Sequence, residues 1–226
     1  MRSFSLNVRG ANKYEERNLS GLFITFEGVE GAGKTTQIQL LKAALEASGE
    51  TVCVTREPGG DPVAEGVRTL LLSTEMSSRA ELLLFLASRA QNVERVIRPQ
   101  LALGNTVICD RFIDSSVAYQ GVARELGATT VQELNRFATG CLEPDLTFLL
   151  DLDPEVGLSR QSTRNRMEAE SLAFHRKVRE GFLEVAANNP TRFLILDASQ
   201  SADTLHLQIL NAVQSRQMMK TESAPK

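Results

Sequence analysis

Apolar positions along the chain follow two alternating rhythms. Short, mostly apolar, β-favouring runs occupy Leu22–Glu27, Thr51–Thr55, Thr106–Asp110, Leu146–Asp151 and Arg192–Leu196. Between them apolar residues recur at helical spacing, as Ile38, Leu41 and Leu45 do over residues 37–48, with Gly49 placed to end that helix. Strand runs alternating with helical stretches predict an α/β fold. The expected form is a three-layer sandwich, a five-stranded parallel sheet with helices on both faces.

Helix starts are legible in the same pattern. Asp61-Pro62 and Asp153-Pro154 each offer an N-cap followed by a proline suited to the first helical position. Ser78 with Glu81, and Thr130 with Glu133, read as capping boxes. Pro99 lies inside the helical pattern of residues 79–103 and predicts a kink or an end there. No internal repeat or interdomain linker interrupts the chain, so one domain is expected over residues 21–216. The polar first 20 residues read as a disordered extension, and 217–226 as a mobile tail.

One loop carries explicit chemistry. Gly28-Val-Glu-Gly-Ala-Gly-Lys-Thr35 matches G-x-x-x-x-G-K-[ST], the phosphate-binding loop of nucleoside-triphosphate enzymes. It follows the first strand and opens the first helix, the order a P-loop fold requires. A chance match in a glycine-rich turn is the bland rival, and the flanking strand and helix weigh against it. Glycines let backbone N–H groups curl around phosphate oxygens, and the helix N-terminus adds its positive end. Glu30, Gly31, Ala32, Gly33, Lys34, Thr35 and Thr36 are therefore the candidate ATP cradle. Lys34 is expected at the β and γ phosphates, and the Thr35 hydroxyl on Mg²⁺.

Composition narrows the partners. The 226 residues suffice for one α/β core, and a net charge of −3 does not point to nucleic acid. Cys53, Cys109 and Cys141 lie far apart, which fits reduced thiols in the cytoplasm. No apolar run approaches a membrane span, and the first residues lack the apolar stretch of a signal peptide.

Candidate acceptor chemistry sits at strand ends, where doubly wound sheets gather functional groups. Asp110-Arg111 ends the third strand: the aspartate could join the Mg²⁺ shell, and the arginine could grip an anion. A surface ion pair is the plain alternative. Arg56-Glu-Pro-Gly-Gly60 ends the second strand in a tight turn. Residues 158–168 hold Arg160, Arg164 and Arg166 with few apolar residues. Such a run is usually a solvated basic face; after the fourth strand of a phosphate-loop protein it can also be a lid that closes over a triphosphate.

Taken together these segments resemble the bacterial thymidylate kinase family. The resemblance rests on the phosphate loop with Glu30, Thr55-Arg-Glu-Pro-Gly-Gly60, Leu84-Phe-Leu-Ala-Ser-Arg89 and Asp110-Arg-Phe-Ile-Asp-Ser-Ser-Val-Ala-Tyr-Gln-Gly121. Asn165-Arg-Met-Glu168 and Val178-Arg-Glu-Gly-Phe182 extend it. It implies a reversible transfer of the γ-phosphoryl group from ATP to dTMP, with Mg²⁺, in a homodimer. It further implies that Phe85 stacks on thymine, Arg89 donates to the base O4, and Ser116 and Gln120 lie at the other polar edge. Tyr119 would pack by the sugar, Glu57 would lie near the sugar hydroxyl, and Arg68 and Arg111 would bind the acceptor phosphate. Glu30 would sit between the two nucleotides, near the metal with Thr35 and Asp110. Without the family, Phe85 would read as core and Arg68 and Arg89 as surface cations.

The lid departs from the family pattern. It is short, and Asn165 stands where an aspartate is usual. Family members carry the catalytic arginine in the phosphate loop or in the lid; Gly31 cannot supply it, so the lid must. Arg164 or Arg166 is expected to do so, with Arg160 the weaker candidate because it follows directly on the Pro154 helix. Other functions fit less well. A kinase for UMP or GMP is the nearest rival. A GTPase switch would need D-x-x-G and N-K-x-D after the loop, and neither occurs. A non-catalytic nucleotide sensor would not need the intact Lys34, Thr35, Arg111 and basic lid.

Overall fold

A computed structural model describes residues 19–160 and 165–222. Most of the predicted N-terminal extension, and Arg164 of the lid, lie outside the described residues.

Five parallel strands form one sheet in the order β2-β3-β1-β4-β5. They are β1 (Phe23–Glu27), β2 (Val52–Arg56), β3 (Thr106–Asp110), β4 (Leu146–Asp151) and β5 (Phe193–Asp197). The central strand β1 pairs Phe26 with Asp110 of β3 on one side and with Phe148 of β4 on the other. Every residue of β1 is buried, because helices cover both faces. Its side chains alternate: Ile24 and Phe26 pack with Leu41, Phe182 and Ile209, whereas Phe23 packs with Val93, Ile97 and Leu101. The edge strands β2 and β5 are only partly buried. Both lie one residue further along than the sequence pattern places them, since edge positions lack a continuous apolar signal.

The helices are α1 (Lys34–Ala47), α2 (Pro62–Ser73), α3 (Ser78–Asn92), α4 (Arg98–Ala102) and α5 (Ile113–Ser116). Then follow α6 (Ala128–Thr139), α7 (Pro154–Ser159), α8 (Leu172–Asn188) and α9 (Ala202–Glu222). Asp61 and Asp153 cap α2 and α7 as expected, accepting from the N–H of Val63 and Glu155. The two capping boxes are corrected. Ser77, not Ser78, caps α3, and α6 starts at Ala128 with Thr130 already inside its first turn. The helix ahead of Pro99 loosens into a π-helical turn at Val93–Ile97, and α4 restarts with Pro99 in its first turn. That answers the missing proline donor.

Of the segment expected as a mobile tail from 217, residues 223–226 lie outside the described residues. Helix α9 continues through Glu222, Gln217 donates to Glu50, and the Lys220 ammonium donates to the Gly21 carbonyl at 2.6 Å. Among the described residues no helix is long and apolar enough to cross a membrane.

Candidate active site

The carboxyl ends of β1, β2 and β3 open onto one polar cleft. On its donor side, α1 starts at Lys34, three residues earlier than its apolar face suggests, behind Gly33 in the left-handed region at φ 91°. This early start aims the first-turn N–H groups into the loop. Lys34, 8% exposed, folds its ammonium back to the carbonyls of Gly28 and Val29 at 3.1 and 3.0 Å. Thr35 and Thr36 stand exposed in the first helical turn. Gly31, at φ 70°, faces Gly157 of α7 so closely that a Cβ on it would collide with that backbone. The phosphate loop and the start of the lid are thus packed glycine against glycine.

The junction between donor and acceptor sides is built by Glu30 and Arg111. Arg111 Nη2 donates to Glu30 Oε1 at 2.9 Å, and its Nη1 donates to the Gly28 carbonyl at 3.0 Å. The Arg111 backbone sits at φ 67°, an uncommon conformation for a non-glycine residue that turns the side chain across the loop. Tyr119 donates its hydroxyl to the same Glu30 oxygen at 2.6 Å. Burial alone would raise the Glu30 carboxyl, but Arg111, neighbouring His175, Lys34 and the Tyr119 hydroxyl outweigh it and hold it well below the ordinary carboxylate range.

Asp110 carries the test for a metal. Its Oδ1 is buried and has no hydrogen-bond partner, a position a cation could satisfy. Mg²⁺ needs only one or two protein oxygens when phosphates and water complete its shell. The open Asp110 oxygen fits that need.

On the acceptor side one pocket is lined by Glu57, Arg68, Phe85, Arg89, Ser116, Tyr119 and Gln120, together with Glu30 and Arg111. Every residue expected at the acceptor therefore meets in one place. Phe85 is only half-buried and turns its ring to this pocket, not to the core. A π-helical stretch at Val117–Ala123, continuing α5, widens the backbone so that Ser116, Tyr119 and Gln120 all reach the pocket. Tyr119 is braced edge-on by Phe182 at 6.1 Å.

Arg89 differs from the surface cation its helix position would suggest. It is 1% exposed. Its Nε donates to Glu57 at 2.7 Å, Nη1 to Ser116 and Asn135, and Nη2 to the Phe112 carbonyl. Four of its five N–H groups are thereby engaged, which leaves one on Nη2 for a ligand.

The lid arginines separate sharply. Arg160 lies at the end of α7, is exposed, and donates from Nη1 to the Gly31 carbonyl at 2.8 Å. Arg166 is turned away: Nε donates to the Leu71 carbonyl at 2.9 Å and Nη2 pairs with Glu81 at 2.7 Å. Of the two described lid arginines, the one ranked lower from sequence is the one at the phosphate loop.

Some lining residues carried no sequence signal as site residues. Pro58, Leu72, Ser115 and Met167 border the pocket. His175, fully buried on α8, places Nδ1 3.4 Å from Glu30 Oε2 with neither atom hydrogen-bonded. A lone histidine on an apolar helix face reads as core, so only the fold reveals it.

Comparison with known proteins decides the family. The thymidylate kinase family model matches residues 26–209. The chain belongs to the thymidylate kinase family. A thymidylate kinase of Citrifermentans bemidjiense is 51% identical over 208 residues, covering 87% of this chain and 92% of that relative. One from Deinococcus radiodurans is 51% identical, covering 87% of this chain and 98% of its own length. Among solved structures, a thymidylate kinase from Ehrlichia chaffeensis superposes with a TM-score of 0.70 at 35% identity, covering 85% of this chain and 98% of that one. The family match spans both the phosphate loop and the acceptor pocket.

Proposed function

We propose that the protein catalyses ATP + dTMP → ADP + dTDP, reversibly, and so supplies dTDP for dTTP and DNA synthesis. The observation that carries this reading is the placement of Phe85, Arg89 and Gln120 in one pocket that meets the phosphate loop at Glu30 and Arg111. An aromatic ring and fixed polar groups suit a flat pyrimidine base. Arginines 68 and 111 suit a phosphate.

The acceptor phosphate has a second pKa near 6, so at neutral pH it is mostly dianionic and needs no general base. The task is to bring two polyanions into line. Lys34 and Arg111 bind and screen them, and the rigid Arg111–Glu30–Tyr119 chain fixes where they meet. Mg²⁺, held by Thr35, Asp110 and Glu30, would add positive charge on the donor phosphates. Of the two described lid arginines, we assign the transition-state contact to Arg160, because its guanidinium lies on the phosphate loop. Arg89 orients Glu57 and Ser116 and offers its remaining N–H to the base.

The reading includes a homodimer, as the family resemblance implies, and a cytoplasmic setting, which the free thiols of Cys53, Cys109 and Cys141 support. Incubation with ATP, Mg²⁺ and dTMP, followed by anion-exchange separation, tests the reaction. It should yield dTDP and ADP in equal amounts. ADP formed with no dTDP would refute it.

A further inference from the structure

Glu81 lies one helical turn before Phe85 and two before Arg89 on α3, yet it does not line the pocket. It is 1% exposed. Its Oε1 accepts from Gln120 Nε2 at 3.0 Å and from Arg124 Nε at 3.3 Å, and its Oε2 pairs with Arg166 at 2.7 Å. A carboxylate buried among two guanidiniums and an amide is well compensated. Burial would raise the Glu81 carboxyl, but Gln120, Arg166 and Arg124 outweigh it and hold it below the ordinary range, so it stays ionised.

An ionised carboxylate can only accept hydrogen bonds. The end of the Gln120 amide that faces Glu81 must therefore be Nε2, and Oε1 lies on the opposite side of that amide. Gln120 itself lines the pocket. We propose that Glu81 is a positioning residue for base choice: it locks the Gln120 amide so that Oε1 is presented to the base as an acceptor. Thymine and uracil carry a donor at N3, whereas cytosine carries an acceptor there. A locked acceptor pairs with the first two and opposes the third. A glutamine free to turn over would offer its N–H instead and serve cytosine as well.

This inference rests on the thymidylate reading and deepens it. The two fail in different ways: a wild-type enzyme that ignores dTMP would sink both, whereas a wild-type enzyme specific for dTMP leaves the role of Glu81 to the variants. Glu81→Gln keeps the shape but can donate as well as accept, which frees the Gln120 amide. We expect the ratio of kcat/KM for dTMP to that for dCMP to fall about tenfold or more, the scale of one buried hydrogen bond. KM for ATP should hold.

The double variant Glu81→Gln with Gln120→Glu restores one carboxylate, now on the pocket side, with an amide to support it. It should recover much of the lost preference. It also provides the readout if the single variant fails to fold. A folded Glu81→Gln enzyme with an unchanged dTMP to dCMP ratio would overturn the proposal. So would a double variant that accepts dCMP as readily as dTMP.

Discussion

Arg160 Nη1 donates to the carbonyl of Gly31 at 2.8 Å, tying the start of the lid to the floor of the phosphate loop. Gly31 leaves no side chain at that point, and Gly157 lets α7 close against it. Arg160 thus brings a guanidinium to the phosphate loop from the end of α7. Arg160→Ala should lower kcat by about 10³-fold, since arginine contributions of that order occur in phosphoryl transfer. Dissociation constants for ATP and dTMP should change little. Arg166→Ala should instead unsettle the packing around Glu81 and lower thermal stability. Single-turnover rates and equilibrium binding on both variants check this; the reverse pattern would move the catalytic role to Arg166.

Lys34 lies inside the loop, with its ammonium already held by the Gly28 and Val29 carbonyls. Lys34→Ala should abolish transfer and leave the fold intact. Circular dichroism together with turnover measures both. A folded variant with near-normal turnover would mean that the loop does not bind the transferred phosphate.

Arg89 and Glu57 form a buried pair at 2.7 Å, each 3% exposed or less. Removing the arginine strands Glu57 as an unpaired buried charge. Arg89→Ala should therefore cost about 3–5 kcal/mol of stability. It should also raise KM for dTMP more than KM for ATP. Chemical denaturation and steady-state kinetics separate the two effects, and equal changes in both Michaelis constants would confine Arg89 to a structural role.

Glu27 closes β1 just before the phosphate loop. Burial, and then Asp114, push its carboxyl up from 4.5 to about 7. The folded protein thus holds this proton more tightly than the unfolded chain. The resulting stability is complete below pH 4.5 and is lost as pH rises through about 7. Glu27→Gln keeps an acceptor for the Phe112 N–H and removes the titration. Unfolding free energy followed by chemical denaturation from pH 5 to 8 should fall for the wild type relative to the variant, by roughly 3 kcal/mol at most. Parallel profiles would show that Glu27 does not titrate in this window.

Central strands were legible because burial on both faces writes them as apolar runs, as in Phe23–Glu27 and Leu146–Asp151. The phosphate loop was legible because its chemistry is local: spacing alone places Gly33, Lys34 and Thr35. The acceptor residues came from family resemblance, and the structure supplies their physical setting. Phe85 faces a pocket and Arg89 is buried, neither of which helical periodicity shows. The lid is hard to read for the same reason. Arg166 and Arg160 look alike in a short basic run, and only their distant partners, Glu81 and Gly31, tell them apart. Ser77 and Ser78 differ just as little; the backbone decides which one caps α3.

The most direct test of the acceptor pocket is a coupled ADP-release assay with ATP, Mg²⁺ and a panel of dTMP, dUMP, dCMP and dGMP. Turnover should be highest with dTMP and very low with dCMP and dGMP. Equal turnover with dCMP or dGMP, or ADP release that does not depend on any acceptor, would contradict the assignment of this pocket to thymidylate.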